Sequence, residues 1–205
     1  MHPELSTTRL RISPLQRWHR ISMSGRRNGK ALRVLLALGT VTACVVTIPG
    51  LSGLRINTTN SLPRGAYLIT DDLAAPLVEF CPEGVFSALS AARGYRPPGL
   101  CPDGAAPLLK PVIARSGDTV VISEAGICVN GRLLPNTSPR RVDSIGRPLT
   151  AWPRGTYVVD PTDVWVASTY HPSSFDSRYF GPISIHRIWH RLRPLWVVGS
   201  STIEQ

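Results

Sequence analysis

One uncharged run near the start of the chain limits most strongly what it can become. From Val34 to Pro49 the sequence reads "VLLALGTVTACVVTIP", and apolar character continues through Leu51 to Leu54. The 21 residues between Arg33 and Arg55 carry no charge. A helix crossing the hydrocarbon core of a bilayer needs about 20. The bland alternative is a helix buried in a soluble core, and Gly39, Pro49 and the threonines make a weak span. The flanks favour the membrane. Residues 1–33 hold eight Arg and Lys against Glu4 alone, so they supply +7 of the total +10 and the other 172 residues supply +3. Basic residues ahead of an apolar run keep that end in the cytoplasm.

The expected organisation is therefore a basic cytoplasmic tail (1–33), a transmembrane signal anchor (34–54) and an exported domain (55–205), periplasmic on the bacterial inner membrane. A cleaved secretory signal competes with this reading, although the basic region is long for one. A lipoprotein signal ending at Cys44 in "VTAC" also competes, with Val a poor first residue for that motif. Because the basicity sits in a tail and not across a folded surface, no nucleic-acid partner is expected.

An oxidising compartment favours disulfides. Cys81 and Cys101 share a local frame, "CPEG" and "CPDG", and form the natural pair. Zinc is the rival, but no C-x-x-C accompanies these cysteines and the one H-x-x-x-H, His186 to His190, stands far downstream of them, so no metal is expected, and no cofactor either. Cys128 in "GICVNG" reads as a buried strand residue. His186 and His190 stand four apart, without a ligand pattern around them.

The exported part reads as mainly β, an antiparallel barrel or sandwich of short strands. "RGAYLIT" is a strand entered from a Pro-Arg-Gly turn, and "LLKPVIA" is an apolar run broken by Pro111. "DTVVIS" and "GICVNGRLL" form a hairpin about Gly126. "GTYVV" and "DVWVAS" form a second pair across "DPTD". "GVFSALSAARGY" is a short helix, stopped by Gly94 and clasped between Cys81 and Cys101. "ISIHRIWHRLRPLWVV" is a last strand or a short helix. "SLPRGAYLI" and "AWPRGTYVV" echo one another, which two turns of equal geometry would explain.

Ser61 follows the apolar run in "TTNSLPRGAY". Serine is a weak nucleophile at neutral pH and needs a base nearby. No Gly-x-Ser-x-Gly elbow is present. A lysine serves as base when burial disfavours its ammonium form. Lys110 is the only lysine after residue 30, among 14 arginines from Arg55 onward, and it lies inside "APLLKPVIA". Taken alone, that position reads more readily as an edge-strand lysine whose stem lies on apolar surface.

Three boxes in order change the balance. Ser61-Leu62-Pro63, then "KPVIARSGD" with Lys110, Gly117 and Asp118, then "SSFDSRYFG" with Ser174, Asp176, Ser177, Arg178 and Gly181, resemble the signal peptidase I superfamily. The resemblance covers about residues 34–195. It implies a β-fold behind an N-terminal anchor and a Ser–Lys dyad. Ser61 would attack the scissile carbonyl, and Lys110 would take its proton and pass it to the leaving amine. The Ser61 N–H and the Thr59 hydroxyl would donate to the oxyanion, and Ser174 would orient the lysine. Asp176 and Arg178 would support the site as a buried pair, with Asp118 a turn residue. The usual "GDNR" ahead of the last box is replaced by "ASTYHP", and the nucleophile is followed by Leu-Pro-Arg-Gly. With the Cys-bracketed insert, these departures resemble the TraF-type peptidases of conjugative transfer. That subgroup implies a pilin precursor as substrate, in some systems closed into a ring. A general leader peptidase and an inactive membrane-anchored assembly protein are the alternatives.

Overall fold

The computed structural model describes residues 32–37, 39 and 53–198. Residues 1–31 of the basic tail, most of the expected anchor, and Cys44 lie outside the described residues. Residues 32–37 are helical, with Val34 and Leu35 exposed. Among the described residues no helix is long and apolar enough to cross a membrane. The chain divides into two units, residues 1–45 and 46–205.

Among its described residues the second unit holds eleven strands and two short helices. In chain order they are β1 (Leu54–Asn57), β2 (Arg64–Thr70), β3 (Leu77–Phe80), α1 (Gly84–Ala92), β4 (Leu108–Ala114), β5 (Thr119–Ile122), β6 (Ile127–Val129), β7 (Arg132–Leu133), β8 (Gly155–Val158), β9 (Asp163–Val166), α2 (Ser177–Phe180), β10 (Ile183–Ser184) and β11 (Ile188–Val198). Seven strands form one sheet in the order β1-β2-β11-β3-β4-β9-β10, and four form a second in the order β7-β6-β5-β8. All strand pairings among the described residues are antiparallel. The mainly β expectation holds, as two sheets.

Strand β9 shows how the sheets share a core. Val164 and Val166 enter one buried cluster with Val78, Phe80, Leu108, Phe175 and Phe180. Trp165 and Ala167 enter another with Val120, Ile122 and Ile127 of the second sheet. A strand buried on both faces loses the apolar–polar alternation of a half-exposed one. "DVWVA" reads that way for this reason.

Two expectations need correction. "GTYVV" and "DVWVAS" do not pair with each other. Asp160–Asp163 does turn, with the Asp163 N–H donating to the Asp160 carbonyl at 3.0 Å. The turn carries the chain from one sheet to the other, so β8 pairs with β5 while β9 pairs with β4 and β10. Burial of both faces of β9 outweighs the local hairpin. Cys128 lies on a strand as expected but is only half-buried, with a free thiol.

The closing segment forms β10, a 3₁₀ turn over Ile185–Arg187, and the eleven-residue β11, which runs between β2 and β3. A bulge between Pro194 and Trp196 absorbs the missing N–H of the proline. The Pro-Arg-Gly echo has a physical basis. The Tyr67 hydroxyl donates to the Pro63 carbonyl at 2.5 Å, and the Tyr157 hydroxyl to the Pro153 carbonyl at 2.7 Å. Gly65 and Gly155 sit at φ of 154° and 157°. In the first turn a Cβ on Gly65 would lie 2.2 Å from the Trp196 carbonyl oxygen, so glycine is required there.

The insert between β3 and β4 is clasped as expected: a disulfide joins Cys81 to Cys101, 20 residues apart. Inside it, buried Arg96 donates to Asp103, to the Ser87 and Ala106 carbonyls and to the Ser90 hydroxyl. A second knot ties the insert to the polar loop 135–150. The Tyr95 hydroxyl and Arg147 Nε both donate to Asp143 Oδ2, at 2.7 and 2.6 Å.

Candidate active site

The serine reaches the site on the β1–β2 hairpin loop. Asn57 closes β1 opposite Gly65, and residues 58–63 arch over to β2. Leu62 anchors the arch in a buried cluster with Tyr67, Leu77 and Leu192. That leaves Ser61 half-buried at the rim of a cleft of about 540 Å³. The cleft is also lined by Lys110, Ser174, Tyr95 and Asp143, so the insert and the polar loop form part of its wall.

Lys110 lies on β4, in register with Val78 of β3. Its strand periodicity puts it on the same buried face as Leu108, and it is only 4% exposed. Burial pulls its amine down from the ordinary 10.5 to about 8. The negative charge of Asp176 opposes the drop and the Arg178 charge assists it. The amine donates to Ser174 Oγ at 2.9 Å, across 64 residues of sequence.

Ser174 is held in place by the buried pair beyond it. Asp176 caps the short helix α2, its carboxylate accepting from the Arg178 N–H at 3.2 Å. Both side chains are fully buried, 2.7 Å apart at closest approach. All five guanidinium hydrogens of Arg178 find acceptors: two on Asp176, and one each on the carbonyls of Ser174, Asn136 and Pro172. Asp176 also accepts from the Ser168 N–H at 3.1 Å. A buried ion pair satisfied this completely acts as a frame for the loop 168–176, and that loop sets Ser174 against Lys110.

The serine side has its own frame. Ser61 Oγ lies 3.3 Å from Thr59 Oγ1, and no hydrogen bond joins Ser61 to Lys110. Among the described residues no acceptor meets the Ser61 backbone N–H. The Thr59 hydroxyl, expected as a second oxyanion donor, contacts Asn57 Oδ1 at 2.7 Å. Asn57 was not among the residues expected at the site. Its signal in the sequence is an Asx residue two positions before a threonine, the spacing at which a side-chain oxygen accepts the i+2 N–H.

Asp118 lies outside the cleft and closes a turn, accepting from the Arg115 N–H at 2.7 Å and from Asn130 Nδ2 at 2.8 Å. His190 pairs with buried Glu79 at 2.7 Å, and His186 is exposed. Among the described residues no group of three or more His, Cys, Asp or Glu stands close enough to hold a metal.

A hairpin-loop serine and a buried lysine amine thus line one cleft of an antiparallel β domain. The chain belongs to the signal peptidase family, peptidase S26, whose family model matches residues 27–196. It is 39% identical over 152 residues to the plasmid transfer protein TraF of Escherichia coli, covering 71% of this chain and 84% of that protein. It is 42% identical over 171 residues to the probable conjugal transfer protein TraF of Sinorhizobium fredii, covering 78% and 86%. A signal peptidase I of Enterococcus faecalis aligns with 61% of this chain and 99% of its own at 19% identity, with a TM-score of 0.34, too low to carry weight.

Proposed function

We propose that this chain is a membrane-anchored serine endopeptidase that cuts an exported precursor, the pilin subunit of a conjugative transfer system. One observation carries the reading: a buried lysine amine, lowered to about 8 and oriented by Ser174, shares a cleft with Ser61. The relatives named for plasmid and conjugal transfer support the choice of substrate. The charge-free run ahead of Arg55 supports an inner-membrane anchor with the cleft on the periplasmic side.

In this reading Ser61 Oγ attacks the scissile carbonyl while neutral Lys110 takes its proton. The Ser61 N–H donates to the oxyanion. The lysine then gives its proton to the departing amine. Water attacking the acyl-enzyme yields a linear product, and an amine of the substrate attacking it yields a ring. Catalytic hydrogen bonds are often long in unliganded sites and tighten on docking, which accommodates the absent Ser61–Lys110 bond. That same absence is the one observation favouring an inactive assembly protein.

The test is co-expression with a pilin precursor, read by mass, using wild type, Ser61→Ala and Lys110→Ala. Both variants should lose processing at normal membrane levels. A ring would weigh one water less than the linear product. Processing by Lys110→Ala at the wild-type rate would refute the dyad.

A further inference from the structure

Asn57 is 7% exposed and makes every hydrogen bond its carboxamide allows. Its Nδ2 faces three carbonyl oxygens, those of Thr59, Leu62 and Pro63, each at 3.1 Å. Its Oδ1 faces two donors, the Thr59 N–H at 3.1 Å and the Thr59 hydroxyl at 2.7 Å. A flipped carboxamide would set its oxygen against three carbonyls and its NH₂ against an N–H. The surroundings therefore fix which end is which.

This settles where the hydroxyl hydrogens go. Thr59 has one, and Oδ1 of Asn57 has none to offer, so Thr59 donates to Asn57. The 3.3 Å contact between Thr59 Oγ1 and Ser61 Oγ must then be made by the Ser61 hydrogen. The hydrogen bonds run in one direction, from Ser61 to Thr59 to Asn57. In the resting site the serine hydrogen thus points at Thr59, while Lys110 is engaged with Ser174. The Thr59 hydrogen reaches a developing oxyanion only by leaving Asn57.

We infer that Asn57 is the positioning residue of the nucleophile loop. Its amide end clamps the arch at Leu62 and Pro63, on the far side of Ser61. Its carbonyl end fixes the direction of the Thr59 hydroxyl, and through it that of Ser61. The inference rests on the reading of Ser61 as nucleophile. Asn57 acts through its neighbours and is given no role on substrate.

The test needs no known substrate. Full-length protein in detergent is labelled with a fluorescent phosphonate that reacts with activated serines, and maximal rate is separated from probe affinity. Asn57→Ala and Thr59→Val should each lower the maximal rate by about 10- to 100-fold, the scale of a misplaced catalytic group, with affinity within about twofold. Thr59 is exposed, so its variants leave the fold intact, and Thr59→Ser should restore most of the rate. The double variant should fall well short of the product of the two losses, because both break one chain of hydrogen bonds. Multiplicative losses would make Asn57 a scaffold only and overturn the inference. Thr59→Val labelling at the wild-type rate would overturn it without reference to Asn57. Ser61→Ala separates the two claims. If it labels like wild type, or if wild type does not label, the peptidase reading falls and this inference with it. If labelling depends on Ser61 but not on Asn57, only the inference falls.

Discussion

Replacing Lys110 by methionine should make the protein more stable at neutral pH, and the gain should vanish in alkali. Lys110 is 4% exposed, and burial lowers its amine from 10.5 to about 8. Each tenfold change in the constant is about 1.4 kcal/mol, so the protonated amine carries a penalty of about 3 kcal/mol in the fold. Methionine fills a similar volume without the charge. It also strips Ser174 of its partner, at about 1 kcal/mol. The net gain at pH 7 is about 2 kcal/mol by these figures. The sign with pH follows from proton counting. Between the folded value of about 8 and the unfolded 10.5, the unfolded chain binds the extra proton, so wild-type stability rises with pH. The penalty is complete below pH 8 and disappears by 10.5. The advantage of Lys110→Met should therefore shrink to nothing near pH ~10. Urea unfolding of the detergent-solubilised protein, followed by tryptophan fluorescence from pH 6.5 to 10.5, measures the difference, and titrations common to both proteins cancel. A difference that stays flat, or that grows with pH, would show that the fold holds this lysine charged and would remove the physical basis of the dyad.

Three further outcomes are expected of the same structure. The rate of Ser61 labelling should rise roughly tenfold from pH 7 to 9, as the neutral fraction of an amine near 8 climbs from about a tenth to nine tenths; a profile flat through that range would argue against Lys110 as base. Asp176→Asn leaves the fully buried Arg178 charge uncompensated and should cost about 3–5 kcal/mol, read as a lowered unfolding midpoint, with an unchanged midpoint contradicting the framing role. Cys81→Ser with Cys101→Ser opens a loop of 20 residues and should cost about 3 kcal/mol, with hydrogen exchange speeding first in Gly84–Ala92; exchange unchanged there would mean the Arg96 network alone holds the insert.

The sequence carried the parts whose physics is local. Charge before an apolar run raised the expectation of an anchor, most of which lies outside the described residues, and the strand-like stretches stand as β2, β4, β5, β6, β8 and β9 in the described domain. Repeated Cys-Pro frames pointed to the pair that the disulfide joins. Two Pro-Arg-Gly-x-Tyr turns close in the same way because tyrosine and proline carbonyl stand four residues apart in each. A lysine inside an apolar strand left a lowered amine and a surface edge position both open, and burial at 4% exposure decided between them. The tertiary structure alone decided which strands meet. Residues 155–158 and 163–166 read as a hairpin until burial of both faces of β9 sent them to different sheets. It also decided what each functional group touches. Lys110 finds Ser174 across 64 residues, and Arg178 spends its five hydrogens on Asn136 and on its own loop at Pro172, Ser174 and Asp176. Asn57, inconspicuous in the sequence, sits behind the nucleophile loop because the hairpin folds three carbonyls onto its amide. Strand propensity and turn chemistry are properties of neighbours along the chain. Pairing, burial and the direction of a hydroxyl hydrogen depend on groups that only the closed fold brings together.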